Sequence, residues 1–102
     1  MTTQRFAELL ARRIVQLEQT LLGKRREYAS DDEVLINFKN SAAEFGGTPA
    51  EALWGYVKKH LLAVKDMLTG VKPVTQAQID EKIGDVVVYM VLLEAILTES
   101  LS

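Results

Sequence analysis

The chain has 102 residues, 48% of them apolar, and a formal net charge of −2 at pH 7. That length allows one domain, residues 1–102, with a modest core, and the near-neutral balance gives no bulk attraction to nucleic acid or an anionic membrane. Cysteine is absent and His60 is the one histidine, which excludes disulfides, thiolate chemistry, cysteine-based zinc centres and paired-histidine metal motifs, and leaves hard, oxygen-ligated ions such as Mg²⁺.

The N-terminal stretch MTTQRFAELLARR lacks the continuous apolar region of a signal peptide. The longest apolar run, Val86 to Leu93, is eight residues, far below the roughly 20 that span a bilayer. A soluble, cytoplasmic protein is the expectation.

Capping chemistry divides the chain. Ser30 is followed three places on by Glu33, Thr48 by Glu51 and Thr75 by Gln78. In each pair the two side chains can satisfy backbone donors at a helix start reciprocally. Pro49 occupies the first helical position, where proline is tolerated. Gly46-Gly47 stands before one start, and Gly70 with Pro73 before another. Four helices follow, at about 3–28, 31–45, 49–69 and 76–99. No segment alternates with period two for long enough to argue a strand.

The first helix carries Phe6, Leu10, Ile14, Leu17 and Leu21 as one stripe. Continued, the stripe reaches Lys24 and Tyr28. A lysine on that line is either a snorkelling stem or a cation facing an anionic ligand. The second helix offers Val34, Leu35, Phe38, Ala42 and Phe45 as its buried side, with Asn37 beside them. The third offers Leu53, Trp54, Val57, Leu61, Val64 and Leu68, with Trp54 as a core anchor. His60 sits at the edge of that stripe and reads as a packed or satisfied side chain. Lys59 and Asp66, seven residues apart, share a face.

The fourth helix begins polar and ends apolar. Glu81 and Asp85 lie four residues apart on one face, with Tyr89 a turn further on. The acids either suit the helix dipole or form a functional pair, and Asp85 is placed to pair with a lysine of the first or third helix. The eight apolar residues that follow make two turns that are apolar all round, so they must be covered all round. Short connections imply an antiparallel four-helix bundle with the first and fourth helices together. One small chain cannot cover the fourth helix fully, so a homodimer or higher oligomer is expected, with the fourth helix at the interface.

Three segments, KRREYAS (Lys24 to Ser30), VKKHLLAVKDM (Val57 to Met67) and IDEKIGDVVVYMVLL (Ile79 to Leu93), resemble small phage and prophage helical proteins related to the MazG-like, all-α nucleoside triphosphate pyrophosphatases and the nucleotide-modification-associated domains. The resemblance spans about Lys24 to Leu97. It implies an oligomeric bundle whose helix-borne carboxylates hold Mg²⁺. The metal binds triphosphate oxygens and activates water, and the nucleotide loses pyrophosphate. By this resemblance Glu81 and Asp85 match metal-binding acids, Lys24 and Tyr28 a Lys–Tyr element, and Lys59 a basic position, with Tyr28 or Tyr89 positioning the ligand. The chain departs from the family at two places. It has no Glu-Glu-x-x-Glu cluster, and Lys82 stands where the last-helix pattern needs an acid. The implied function is a nucleotide-binding protein, either a Mg²⁺-dependent pyrophosphohydrolase or a catalytically silent relative. The contrasting reading is a non-catalytic oligomeric module that binds a host or phage protein. Nucleic-acid binding is disfavoured, because no basic face accompanies a recognition helix.

Overall fold

A computed structural model describes residues 1–27 and 35–102, with side chains described for 1–23 and 35–102. Among these residues there are four α-helices and no strand: α1 (Thr3–Glu27), α2 (Ile36–Phe45), α3 (Pro49–Leu68) and α4 (Gln76–Ser100). The all-helical expectation holds, with boundaries within a residue or two for three of the four helices. The expected start of the second helix at 31, its Ser30–Glu33 capping box and Val34 lie outside the described residues. Among the described residues no helix is long and apolar enough to cross a membrane. The chain divides into two compact units, Met1–Asp32 and Glu33–Ser102.

The helical part of the first unit is α1. Its first turn is closed by Thr2, whose Oγ1 accepts a hydrogen bond from the Arg5 backbone at 3.1 Å. Phe6, Leu10 and Ile14 fall on one line of the helix and are exposed; Leu17 and Leu21, further along it, are half-buried.

The second unit is built by α2, α3 and α4, with α3 packed against both of the others. Both expected capping boxes form. Thr48 Oγ1 accepts from the Glu51 backbone at 3.1 Å and the Glu51 carboxylate accepts from the Thr48 backbone at 3.1 Å. Thr75 and Gln78 do the same at 3.2 and 3.0 Å. Gly46 and Gly47 both take positive φ, 85° and 83°, a conformation that side chains with a Cβ resist, so the α2–α3 turn needs two glycines.

The residues that line the two ends of the α3–α4 seam set its direction. Ala63, Asp66 and Met67 near the end of α3 meet Gln78 and Lys82 near the start of α4. Pro49 and Ala50 at the start of α3 meet Ile96, Leu97 and Ser100 at the end of α4. The two helices are therefore antiparallel. The core sits toward the second of these ends: Leu35, Phe38, Leu53, Val57 and Ile96, with Leu92, Leu93 and Ala95 packed against them. Leu53 and Val57 are fully buried. A Lys39–Glu99 ion pair at 2.6 Å ties α2 to the end of α4 at the surface.

Burial is narrower than the sequence pattern suggests. Phe45 and Leu68 are each 80% exposed, Trp54 is 44% exposed and Leu61 is exposed as well. The apolar spacing in the sequence places all four in the core. The reason is geometric. The expected α3 stripe contains two lines about 100° apart. Leu53, Val57, His60, Val64 and Met67 face the other helices, whereas Trp54, Leu61 and Leu68 recur at seven-residue steps on the outer side. Within this unit α2 and α4 pack on the first line of α3 and leave the second uncovered. The apolar turns of α4 are likewise only half covered, with Met90 and Val91 partly exposed.

Candidate ligand site on the α3–α4 seam

On α3, Tyr56 and His60 stand one turn apart; on α4, Asp85 and Tyr89 do the same. The antiparallel packing brings these pairs together. His60 Nδ1 lies 3.3 Å from Asp85 Oδ2, and both side chains are partly exposed. The His60 ring stacks on Tyr89, with centroids 4.7 Å apart and an interplanar angle of 28°. Tyr89 in turn lies parallel to Tyr56 at 6.3 Å and 6°, and Tyr56 meets Phe38 of α2 edge-on at 6.1 Å and 73°. A continuous aromatic line thus runs from the core to a carboxylate–imidazole pair at the surface.

The electrostatics follow from this placement. Burial first, then the Asp85 carboxylate, then Tyr56 push the Tyr89 phenol above its usual value of 10.0. Each favours the neutral phenol over the phenolate, so Tyr89 keeps its proton at physiological pH and remains a hydrogen-bond donor. With Asp85 facing Nδ1, the imidazole is oriented by a carboxylate, and Nε2 is the ring nitrogen left for another partner. This end of the seam offers a planar, polarisable surface, an anchored imidazole and a phenolic donor in one place.

The six residues singled out from the sequence fare unequally. Asp85 and Tyr89 meet at the site, through His60. Glu81 lies one turn before Asp85 and is exposed, its carboxylate 3.4 Å from Lys82 Nζ. Lys59 is exposed on α3. The side chain of Lys24 and the whole of Tyr28 lie outside the described residues. The basic partner of Asp85 on α3 is His60; a lysine of the first or third helix is the alternative that the sequence offers.

His60 is the satisfied side chain that its position suggests, paired with Asp85 and stacked on Tyr89; Tyr56 is the neighbour that sequence reasoning did not single out. The available signal was the mirrored i, i+4 spacing of Tyr56–His60 and Asp85–Tyr89. It becomes meaningful only once the two helices are known to be antiparallel and in this register.

Mg²⁺ binding asks for about six oxygens in octahedral geometry, some of them water or substrate. Among the described residues no three His, Asp or Glu side chains gather where they could hold one ion. Glu81 lies beside Lys82 and Asp85 beside His60, so these two acids do not by themselves form a cation site. No known protein family matches the chain, and no curated protein or solved structure matches it either.

Proposed function

We propose that the chain is a nucleotide-binding protein of MazG-like helical type, with its ligand site on the α3–α4 seam and without hydrolytic activity. The observation that carries this reading is the convergence of Asp85, His60 and Tyr89. A base can meet the exposed edges of the Tyr56–Tyr89–His60 line edge-to-face, one of the favoured aromatic geometries. His60 Nε2 and the Tyr89 hydroxyl give polar contacts to the nucleoside, and Lys59, on the next position of α3, adds positive charge at the rim. The contact between Asp85 and His60 supports binding rather than metal-dependent cleavage.

The test is pyrophosphate release from a panel of NTPs, dNTPs and modified nucleotides with Mg²⁺ or Mn²⁺, run beside thermal shifts with the same ligands. The reading predicts stabilisation by at least one nucleotide, absent in Asp85→Asn, and no release. A ligand at 100 times its Kd adds about 2.7 kcal/mol. Release that Asp85→Asn lacks would make the protein an enzyme. No shift with any nucleotide would remove the binding reading.

A specific observation also favours self-association. Phe6, Leu10 and Ile14 of α1 and Trp54, Leu61 and Leu68 of α3 form two exposed apolar lines, more than scattered surface hydrophobes. A homodimer or higher oligomer would cover them. Sedimentation equilibrium at micromolar concentration decides: a monomeric mass rejects self-association, and would leave a host or phage protein as the partner for those lines.

A further inference from the structure

Below the His60–Asp85 contact the seam opens into a cleft of about 400 Å³ between the end of α3, the start of α4 and the loop that joins them. Its polar lining consists of Asp66, Thr69, Lys72, Gln78 and Lys82. We propose that this cleft is a polyphosphate subsite, in which Lys72 and Lys82 hold the phosphate groups of a ligand whose nucleoside lies against His60 and Tyr89. The proposal rests on the nucleotide reading above and adds the location and chemistry of the anionic half.

Three observations support it. The first is alignment. Gln78, Lys82, Asp85 and Tyr89 follow one another at steps of four, three and four along α4, which puts them on one line of the helix. Lys82 and Tyr89 are two turns, about 10 Å, apart along the axis. That is comparable to the reach from a base to the outer phosphates of an extended nucleotide.

The second is donor chemistry. The Gln78 carbonyl oxygen accepts from the Thr75 backbone at 3.0 Å. Its amide nitrogen is therefore the end left to donate, and Gln78 lines the cleft. The Thr69 hydroxyl donates to the Asp66 carbonyl oxygen at 2.8 Å, so it contributes no donor. Lysine ammonium groups and an amide N–H₂ are the groups that phosphate oxygens accept from.

The third is charge. Lys72 and Lys82 face one carboxylate, Asp66, on the cleft. With the Glu81 carboxylate beside Lys82 the two lysines and two carboxylates balance, and the positive end of α4 tips the cleft toward an anion. Lys82 also lies 3.4 Å from Glu81, but an exposed pair of this kind is weak and a ligand can compete for it. Lys82 stands on the same line of α4 as Asp85 and Tyr89.

The experiment measures binding of inorganic tripolyphosphate, a nucleoside triphosphate and its parent nucleoside by calorimetry. It uses the full chain and the double variant Lys72→Ala/Lys82→Ala, with Lys72→Arg/Lys82→Arg as the charge-retaining control. Both positions are partly or fully exposed, and an unchanged melting temperature confirms that the variants fold. The triphosphate should bind at least about tenfold more weakly to the alanine variant, with nucleoside affinity unchanged and the arginine variant largely restored. Lysine-dependent binding of tripolyphosphate without any nucleotide binding would keep the anion subsite and overturn the nucleotide reading. Nucleotide binding that is lost in Asp85→Asn but unchanged in Lys72→Ala/Lys82→Ala would do the reverse. No binding of any probe would overturn both.

Discussion

The two halves of the α3–α4 seam are made by the same pair of helices and differ in almost everything else. Toward the start of α3 and the end of α4 the seam is apolar: Leu53 and Val57 are fully buried against Ile96 and its neighbours, and the cleft of about 390 Å³ at its rim is lined mainly by apolar surface. Toward the end of α3 and the start of α4 the same faces carry His60, Lys82 and Asp85, and the seam opens into a cleft that Asp66 also lines. Buried apolar contact is what holds two helices together, so the apolar half secures the antiparallel register. The polar half inherits that register without contributing much to it. A seam of this kind can hold side chains in fixed geometry at one end because the other end does the packing.

The sharpest way to break this comparison is to empty the apolar half. Leu53→Ala removes a fully buried side chain and should cost about 2–5 kcal/mol, read as a shift in the urea midpoint. A loss below about 1 kcal/mol would mean that the core is centred elsewhere. Next come the helix starts. Thr48→Ala removes the cap of α3 and Thr75→Ala that of α4, and each should cost about 0.5–2 kcal/mol.

Asp85→Asn probes the polar half. The Asp85 side chain is partly exposed, so its pairing with His60 should be worth less than about 1 kcal/mol of stability, while ligand binding is lost. A larger destabilisation without any effect on ligands would make the pair a structural brace. The smallest effect is confined to alkaline pH. The Tyr89 pKa is raised in the folded chain, so above pH 10 the unfolded state releases a proton that the folded state retains. Stability should fall as pH rises from 10 through the folded-state value, and Tyr89→Phe should remove that extra slope from a pH series of melts. An unchanged slope would place Tyr89 in a more solvated setting.

Much of the fold was legible because its signals are local. Thr48-Pro49 with Glu51, and Thr75 with Gln78, define helix starts within a few residues of themselves, and both boxes form as expected. What lay beyond the sequence was which of two adjacent lines on α3 turns inward. Trp54 and Leu53 are neighbours of similar apolar character, yet Leu53 is fully buried and Trp54 is exposed. That choice depends on how many helices surround α3, which periodicity does not encode. The site shows the same division. Asp85 and Tyr89 were marked by their spacing on one helix. Their connection to His60 and Tyr56 crosses between helices, and Lys82 acquires a role only when the cleft beside it is seen.

His60 is the single histidine and Trp54 the single tryptophan of the chain, and they lie on different lines of α3. The most direct measurement is therefore an NMR titration of the imidazole resonances of His60 with a nucleoside triphosphate, with Trp54 followed in the same samples. The account predicts saturable shifts at His60, lost in Lys72→Ala/Lys82→Ala at the same ligand concentration, with Trp54 unmoved. Nucleotide binding that saturates while His60 stays still, or no response up to millimolar ligand, would contradict it.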